Sequence, residues 1–193
     1  MLAGGSGRRF GRPKASVVFA GRTLVERAVT TLQRHCARVI VVSRPEVALP
    51  TLVVPVCLDR PGPDAPLTGL ATGLSALDTD DVMVLACDLP RAAPVVARLA
   101  GLPDGHAAVA RAPGDGRIQP LCGRYPRRTT LAACESLLAE GETRLLPLLD
   151  ALQPSIIDAG TAELSNINSV ADLARLARVA RLTALIRPPD VGC

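Results

Sequence analysis

The chain has very few aromatic residues: they make up 2% of its 193 residues, and tryptophan is absent. Proteins that bind single-stranded nucleic acid stack the bases on aromatic rings, so this composition disfavours that class. The six cysteines include no C-x-x-C pair and the two histidines lie far apart, so no zinc site is recognisable. Cys57, Cys87 and Cys122 stand in apolar runs, which predicts structural thiols.

The sequence also lacks a charged start followed by an apolar run, and it has no stretch of about 18 apolar residues. We therefore expect a cytoplasmic protein that does not contact a membrane. Hydrophobic residues at 48% against charged residues at 21% exclude disorder for the body of the chain. The length predicts one domain over residues 1–186, followed by a flexible tail over 187–193 that contains two prolines.

Positive charge comes almost entirely from arginine. The formal net charge is +4, but the arginines are scattered, so the evidence for a polyanionic partner such as nucleic acid is weak. Lys14 is the only lysine among 22 basic residues. A compact ammonium group suits a phosphate oxygen in a tight loop, although a chance occurrence would look the same.

Short β-branched runs alternate with longer helical patterns, which predicts a three-layer Rossmann-like α/β fold: an open, mostly parallel sheet with helices on both faces. Thr23 and Glu26 form a capping-box pattern that predicts a helix over about 24–34, and Ser169 and Asp172 repeat it before a terminal helix. The strand candidates are Val39 to Val42, Val53 to Val56, Val82 to Ala86, Ala107 to Ala110, Leu121 to Tyr125 and Ser155 to Ile157.

The segment from Leu2 to Lys14 has the composition of a phosphate-binding loop. Four glycines within eight positions leave backbone amides free of Cβ obstruction, and three arginines with Lys14 can neutralise phosphates. The segment matches neither the P-loop nor the dinucleotide-binding pattern. From the residues alone, a flexible basic N-terminus remains an alternative.

Asp88 follows the apolar run Val82 to Cys87 and precedes Pro90, which predicts a carboxylate at the carboxyl end of a buried strand. Ligands of open α/β sheets bind at that edge, and a single carboxylate there suits Mg²⁺. A helix N-cap or a turn aspartate is the other interpretation. The segments 66–70 and 165–169 are polar or glycine-containing turns that open helices, and either could face a ligand.

Together these segments resemble the molybdopterin nucleotidyltransferases, the family that includes molybdenum cofactor guanylyltransferase. The resemblance runs from residue 1 to about 175. It is carried by Leu2-Ala3-Gly4-Gly5 with Arg9, Gly11 and Lys14, then Pro66-Leu67-Thr68-Gly69, Cys87-Asp88-Leu89-Pro90, Gln119-Pro120-Leu121 and Asn166-Ile167-Asn168. The glycine loop and the strand-end aspartate are shared with the wider nucleotidyltransferase superfamily, and the last two segments narrow the resemblance to the molybdopterin branch.

The resemblance implies transfer of GMP from GTP to the terminal phosphate of molybdopterin, giving the guanine dinucleotide cofactor and pyrophosphate. It assigns catalytic roles to Arg9, Lys14 and Asp88, with Mg²⁺ held by Asp88 and Mn²⁺ able to replace it. The implied nucleotide-binding residues are Leu2, Ala3, Gly4, Gly5, Lys14, Asp59 and Asp88, and the acceptor-binding residues are Asn166 and Asn168. The implied partners are GTP, molybdopterin and molybdenum-cofactor insertion proteins, and we expect a monomer.

The chain departs from the family pattern at two places. The family often has an asparagine where this chain has Ser43, and it has a first strand before Leu-Ala-Gly-Gly where this chain has only Met1 and Leu2. We expect the native start to lie several residues upstream. At Asp59, a turn residue is as well supported by the sequence as a nucleotide-binding residue.

Other functions remain open at this point. They are a cytidylyltransferase, a transferase for another phosphorylated acceptor, and a nucleotide-binding protein without turnover.

Overall fold

The computed structural model describes residues 1–4, 10–11 and 13–186, with the backbone alone for 179–186. The predicted tail over 187–193 lies outside the described residues. The helices are α1 (Leu24–Gln33), α2 (Pro66–Ser75), α3 (Ala93–Ala100), α4 (Arg127–Ala139), α5 (Leu146–Leu152) and α6 (Val170–Ile186). The strands are β1 (Val18–Phe19), β2 (Arg22–Thr23), β3 (Val41–Ser43), β4 (Val56–Leu58), β5 (Asp81–Leu85), β6 (Ala108–Arg111), β7 (Ile118–Pro126) and β8 (Ser155–Asp158).

Leu2 lies at the centre of the sheet. It forms parallel bridges to Val42 on one side and to Ala86 on the other, and so connects the β3–β4 pair to the four strands β5-β7-β6-β8. β3 and β4 are parallel, as are β6 and β8, whereas β7 runs antiparallel to both of its neighbours. The sheet is therefore mostly parallel, with one reversed strand.

Each face of the sheet is covered by its own hydrophobic cluster. Leu85 packs on one side with α1, α3 and α6, whereas its neighbour Val84 packs on the other with α2, α4 and α5. Successive side chains of a strand point to opposite faces, so one apolar strand serves both clusters. The predicted fold class, an α/β sheet with helices on both faces, is confirmed.

The predicted capping box forms completely at α1, whereas at α6 only the bond from the Asp172 amide to the serine side chain forms. The backbone amide of Thr23 donates to Glu26 Oε2 at 2.8 Å, and the amide of Glu26 donates to Thr23 Oγ1 at 3.3 Å. At the start of α6, Ser169 Oγ lies 2.9 Å from Asp172 Oδ2, and the Asp172 amide donates to Ser169 Oγ at 3.1 Å. These caps satisfy first-turn amides that have no partner within the helix.

Two features of the sheet differ from the sequence-based expectations. The strand predicted over Val53 to Val56 begins instead at Val56, because Pro55 has no N–H to donate to a ladder. The β1–β2 hairpin was not predicted. Its turn uses Ala20 and Gly21 at φ 48° and 79°, and only the glycine adopts such angles readily.

The cysteine prediction holds at two of its three positions. Cys87 and Cys122 are buried, and burial raises the pKa of each thiol to about 12, so both stay protonated at neutral pH. Cys57 is only half-buried, on β4. Within the described ranges, no helix is both long enough and apolar enough to cross a bilayer.

Gly123 is the position in β7 where a side chain would be most disruptive. A Cβ there would lie 2.7 Å from the backbone oxygen of Ala108 on the paired strand β6 and 3.0 Å from Val109 Cγ1. We predict that Gly123→Ala lowers the free energy of unfolding by about 2 kcal/mol, measured by urea denaturation, because the strands must separate.

Gly101→Ala is the matched control. Its φ is −82°, and the nearest atoms to an added Cβ lie at 3.6 Å, so the change should stay within about 0.5 kcal/mol. Equal stabilities of the two variants would contradict the packing argument at Gly123.

Candidate functional site

The site lies at the carboxyl ends of the central strands, where a cavity of about 350 Å³ opens. Leu2, Gly4, Lys14, Asp59 and Asp88 line it, so five of the residues predicted to bind nucleotide surround one space. Open α/β sheets bind ligands at this edge, because loops from neighbouring strands meet there.

Lys14 is presented by a short 3-10 turn, Lys14–Ser16, that the core holds in place. Ala15 and Val17 are fully buried, and the Val17 amide donates to the Lys14 carbonyl at 3.1 Å. The Lys14 ammonium donates to Asp88 Oδ2 at 3.1 Å and to Asn168 Oδ1 at 2.6 Å. The side chains of Lys14 and Asp88 are each 17% exposed, so the pair is largely shielded from water.

Asn166 and Asn168 flank Ile167, which is fully buried and anchors their turn. The Ile167 amide donates to the Asp88 carbonyl at 2.9 Å, so this turn is docked on the loop that carries Asp88. Asn166 Nδ2 donates to Asp88 Oδ2 at 3.4 Å. The two asparagines assigned to the acceptor therefore lie beside Asp88 and Lys14.

Asp59 follows β4, and its amide donates to the Ser43 carbonyl at 2.8 Å. Its Oδ1 atom is buried with no hydrogen-bond partner among the described residues. Burial raises the pKa of this carboxyl above its ordinary value; the nearby Thr72 hydroxyl and the charge of Arg44 oppose the rise, and the charges of Asp64 and Glu46 add to it. A half-buried, under-satisfied carboxylate at a cavity wall is typical of a ligand-binding position.

The first residues of the chain contribute differently from expectation. The Leu2 amide donates to the Leu85 carbonyl at 3.1 Å, and the Ala3 amide donates to the Val42 carbonyl at 2.8 Å. These N–H groups belong to the sheet, so the predicted contact of Leu2 and Ala3 with a nucleotide would have to use other backbone atoms. Gly5 and Arg9 lie outside the described residues.

Arg44 and Asp64 are cavity residues that sequence reasoning missed. Arg44 follows β3, but one arginine among many carries no distinguishing pattern. Asp64 lies in a loop crowded with aspartate, proline and glycine, which predicts only a turn. No local signal could have separated these two residues from their neighbours.

The donor set suits a magnesium ion accompanied by phosphates. Asp88 offers a carboxylate, and Asn166 Oδ1 beside it is buried without a hydrogen-bond partner in the described part of the chain. Within that part, no group of three or more His, Cys, Asp or Glu side chains forms a metal cluster. Mg²⁺ commonly takes one or two protein oxygens and completes its shell with water and phosphate.

A second cavity, of about 320 Å³, lies at the opposite ends of the strands and is lined by residues such as Leu32, Cys36 and Met83. It contains none of Lys14, Asp59 or Asp88. Of the charged groups that the predicted chemistry needs, Lys14, Asp59 and Asp88 therefore lie at the first cavity.

Comparisons with known proteins identify the family of the chain. The family model described as a MobA-like NTP transferase domain matches residues 1–154. The probable molybdenum cofactor guanylyltransferase of Mycobacterium tuberculosis (strain ATCC 25618 / H37Rv) is 37% identical over 182 residues, covering 89% of this chain and 88% of that protein. The protein of the same description from Chloroflexus aggregans is 36% identical over 158 residues, covering 79% and 76%.

Two solved structures share the fold. Molybdopterin-guanine dinucleotide biosynthesis protein A from Archaeoglobus fulgidus has a TM-score of 0.68 at 20% identity, covering 94% of this chain and 97% of that one. The 2-C-methyl-D-erythritol 4-phosphate cytidylyltransferase from Thermus thermophilus has a TM-score of 0.73 at 21% identity, covering 93% and 97%.

The family model and the similar proteins define an enzyme of the nucleotidyltransferase class. The chain belongs to the family of MobA-like NTP transferases, which confirms the resemblance found in its motifs.

The energetics of Asp59 give a test of its role. Because folding raises the pKa of its carboxyl, the ionised form destabilises the folded state above that pKa, and this penalty disappears below the ordinary value of 3.8. We predict that Asp59→Asn raises the free energy of unfolding at pH 7 while weakening nucleotide binding. The stability gain should shrink as the pH falls toward 3.8.

Urea denaturation across this pH range and nucleotide titration at pH 7 would check both parts. Asp150→Asn, at an exposed position on α5, is the control and should change neither. Destabilisation by Asp59→Asn at pH 7 would instead indicate a structural role for the carboxylate.

Proposed function

We propose that the protein transfers GMP from GTP to the terminal phosphate of molybdopterin and releases pyrophosphate. The observation that carries the proposal is that Lys14, which contacts Asp88 and Asn168, lines one cavity together with Asp59 and Asp88. Relatives at 36–37% identity that are described as probable molybdenum cofactor guanylyltransferases support this choice of nucleotide and acceptor.

In this reaction an oxygen of the acceptor phosphate attacks the α-phosphorus of GTP. The bond between that phosphorus and the oxygen bridging to the β-phosphorus breaks, and the electron pair leaves with pyrophosphate. The attacking phosphate is already ionised, so no general base is needed. Catalysis then consists mainly of positioning the reactants and neutralising their charge.

The residues of the site divide this work. The Lys14 ammonium has three N–H donors, and two of them contact Asp88 and Asn168. The third would donate to a phosphate oxygen and stabilise negative charge as it develops. Asn166 and Asn168 would orient the acceptor phosphate beside Asp88. Asp88 would hold Mg²⁺, or Mn²⁺ in its place, and the ion would help to neutralise the negative charge of the phosphates.

The cytidylyltransferase alternative has one observation in its favour, which is the fold shared with the Thermus protein. At 21% identity that likeness concerns the fold alone, and it does not extend to the base or the acceptor. We also propose that the protein is a monomer and, from the family resemblance, that its partners include molybdenum-cofactor insertion proteins.

We predict that Lys14→Met and Asp88→Asn each lower turnover by about 100-fold or more, measured as magnesium-dependent pyrophosphate release with molybdopterin. Each single variant also leaves one shielded charge without its partner, so some loss of stability is expected.

The double variant Lys14→Met with Asp88→Asn separates the two effects. It removes both charges, so it should recover stability in thermal melts relative to the single variants while remaining inactive. Near-normal turnover in Asp88→Asn would remove that residue from the site.

We also predict a preference for GTP over CTP. Pyrophosphate release in the presence of molybdopterin, with each triphosphate alone and then with both in competition, should give product mainly as the guanine dinucleotide. Equal use of the two nucleotides, or preference for CTP, would favour the cytidylyl alternative, and no product with either would contradict nucleotidyl transfer to molybdopterin.

A further inference from the structure

Arg44 and Asp64 form an ion pair at the wall of the nucleotide cavity. Arg44 Nη2 lies 2.6 Å from Asp64 Oδ2, and Arg44 Nη1 lies 3.0 Å from Glu46 Oε1. Arg44 and Asp64 line the cavity, whereas Glu46 does not. The pair therefore brings a guanidinium donor and a carboxylate acceptor together beside the space proposed for GTP.

The position of Arg44 is not that of an ordinary surface arginine. Its side chain is only 19% exposed, and its Cδ lies 3.6 Å from where a Cβ on Gly4 would stand, so its stem packs against the start of the glycine loop. Asp64 is 67% exposed and lies just before α2, on the side of the cavity that Asp59 and Gly69 also line. Because Asp64 is exposed to water, its ion pair with Arg44 contributes little to stability, and stability alone gives little reason for it.

We propose that Arg44 and Asp64 read the guanine base, with Arg44 donating to O6 and N7 and Asp64 accepting from the N1–H and 2-amino groups. This inference rests on the proposed function. Guanine presents its two acceptors and its two donors on adjacent edges, with O6 lying between N7 and N1. One base can therefore meet both side chains while they remain neighbours.

The same pair disfavours the other bases. Arginine with O6 and N7 of guanine is the commonest specific side-chain contact with a base, and a good bidentate contact discriminates strongly against the wrong base. Adenine carries an amino donor where guanine has O6, so it would face Arg44 with a donor. Cytosine lacks both N7 and the 2-amino group, and so would leave both side chains incompletely paired.

Nucleotide analogues that remove single atoms provide the test. Binding of GTP, 7-deaza-GTP, which lacks the N7 acceptor, and ITP, which lacks the 2-amino group, is measured by calorimetry with magnesium. The wild-type protein should bind each analogue about fivefold or more weakly than GTP, the lower end expected for part of a specific base contact.

The variants then assign each contact to its residue. In Arg44→Met the difference between GTP and 7-deaza-GTP should disappear, while the difference between GTP and ITP remains. In Asp64→Ala the reverse should hold. Glu46→Gln is the matched control, since Glu46 touches the same guanidinium outside the cavity, and it should retain both differences.

The outcomes separate this inference from the proposed function. If GTP, 7-deaza-GTP and ITP bind the wild-type protein equally, base reading by this pair is overturned while guanylyl transfer stands. If both differences persist in Arg44→Met and Asp64→Ala, other groups read the base, which also overturns the inference. Failure of every triphosphate to bind would overturn the proposed function itself.

Discussion

The ion pair between Lys14 and Asp88 joins two segments that lie 74 residues apart in the chain. The short central strand at Leu2 and the strand β5 run parallel, so their carboxyl ends open at the same edge of the sheet. The loops that follow them must then meet. Everything at the site depends on this parallel pairing, because an antiparallel arrangement would send the two loops to opposite ends of the sheet.

This edge of the sheet also carries buried polar groups whose hydrogen bonding is incomplete within the described part of the chain. Among the residues that the structure describes, Asp59 Oδ1 and Asn166 Oδ1 are buried without a hydrogen-bond partner, and burial has raised the pKa of Asp59. Each of these groups lowers the stability of the folded chain. Asp59 lines the cavity, and Asn166 contacts Asp88, which also lines it, so both groups are placed where a polar ligand could satisfy them.

The sequence could predict those parts that depend on local patterns. Lys14 and Asp88 stand in short motifs whose residue types indicate phosphate binding and magnesium binding. The capping-box pair Thr23 and Glu26 predicts a helix start within four positions. The reversal of β7 could not be predicted, because strand direction depends on connections rather than on residue type. The shift of β4 was predictable in principle from Pro55, and the β1–β2 turn from Gly21.

The site itself was only partly accessible to sequence reasoning. The sequence could not distinguish a binding residue from a turn residue at Asp59, which stands in a loop rich in aspartate and proline. The structure places Asp59 at the cavity wall. Arg44 escaped notice for the opposite reason, since it is one of many arginines. What distinguishes it is its packing on Gly4 and its contact with Asp64, and both are tertiary facts.

The structure also gives a physical reason why position 14 is a lysine rather than an arginine. An arginine at position 14 would present a planar fork that pairs with a carboxylate through two parallel hydrogen bonds, and that contact would hold Asp88 firmly. The lysine ammonium is a compact charge that makes one contact to Asp88 and one to Asn168. Such a group can exchange a carboxylate oxygen for a phosphate oxygen by a small rotation. In a chain that otherwise uses arginine for positive charge, a lysine at this position is therefore better explained by the demands of phosphate transfer than by composition.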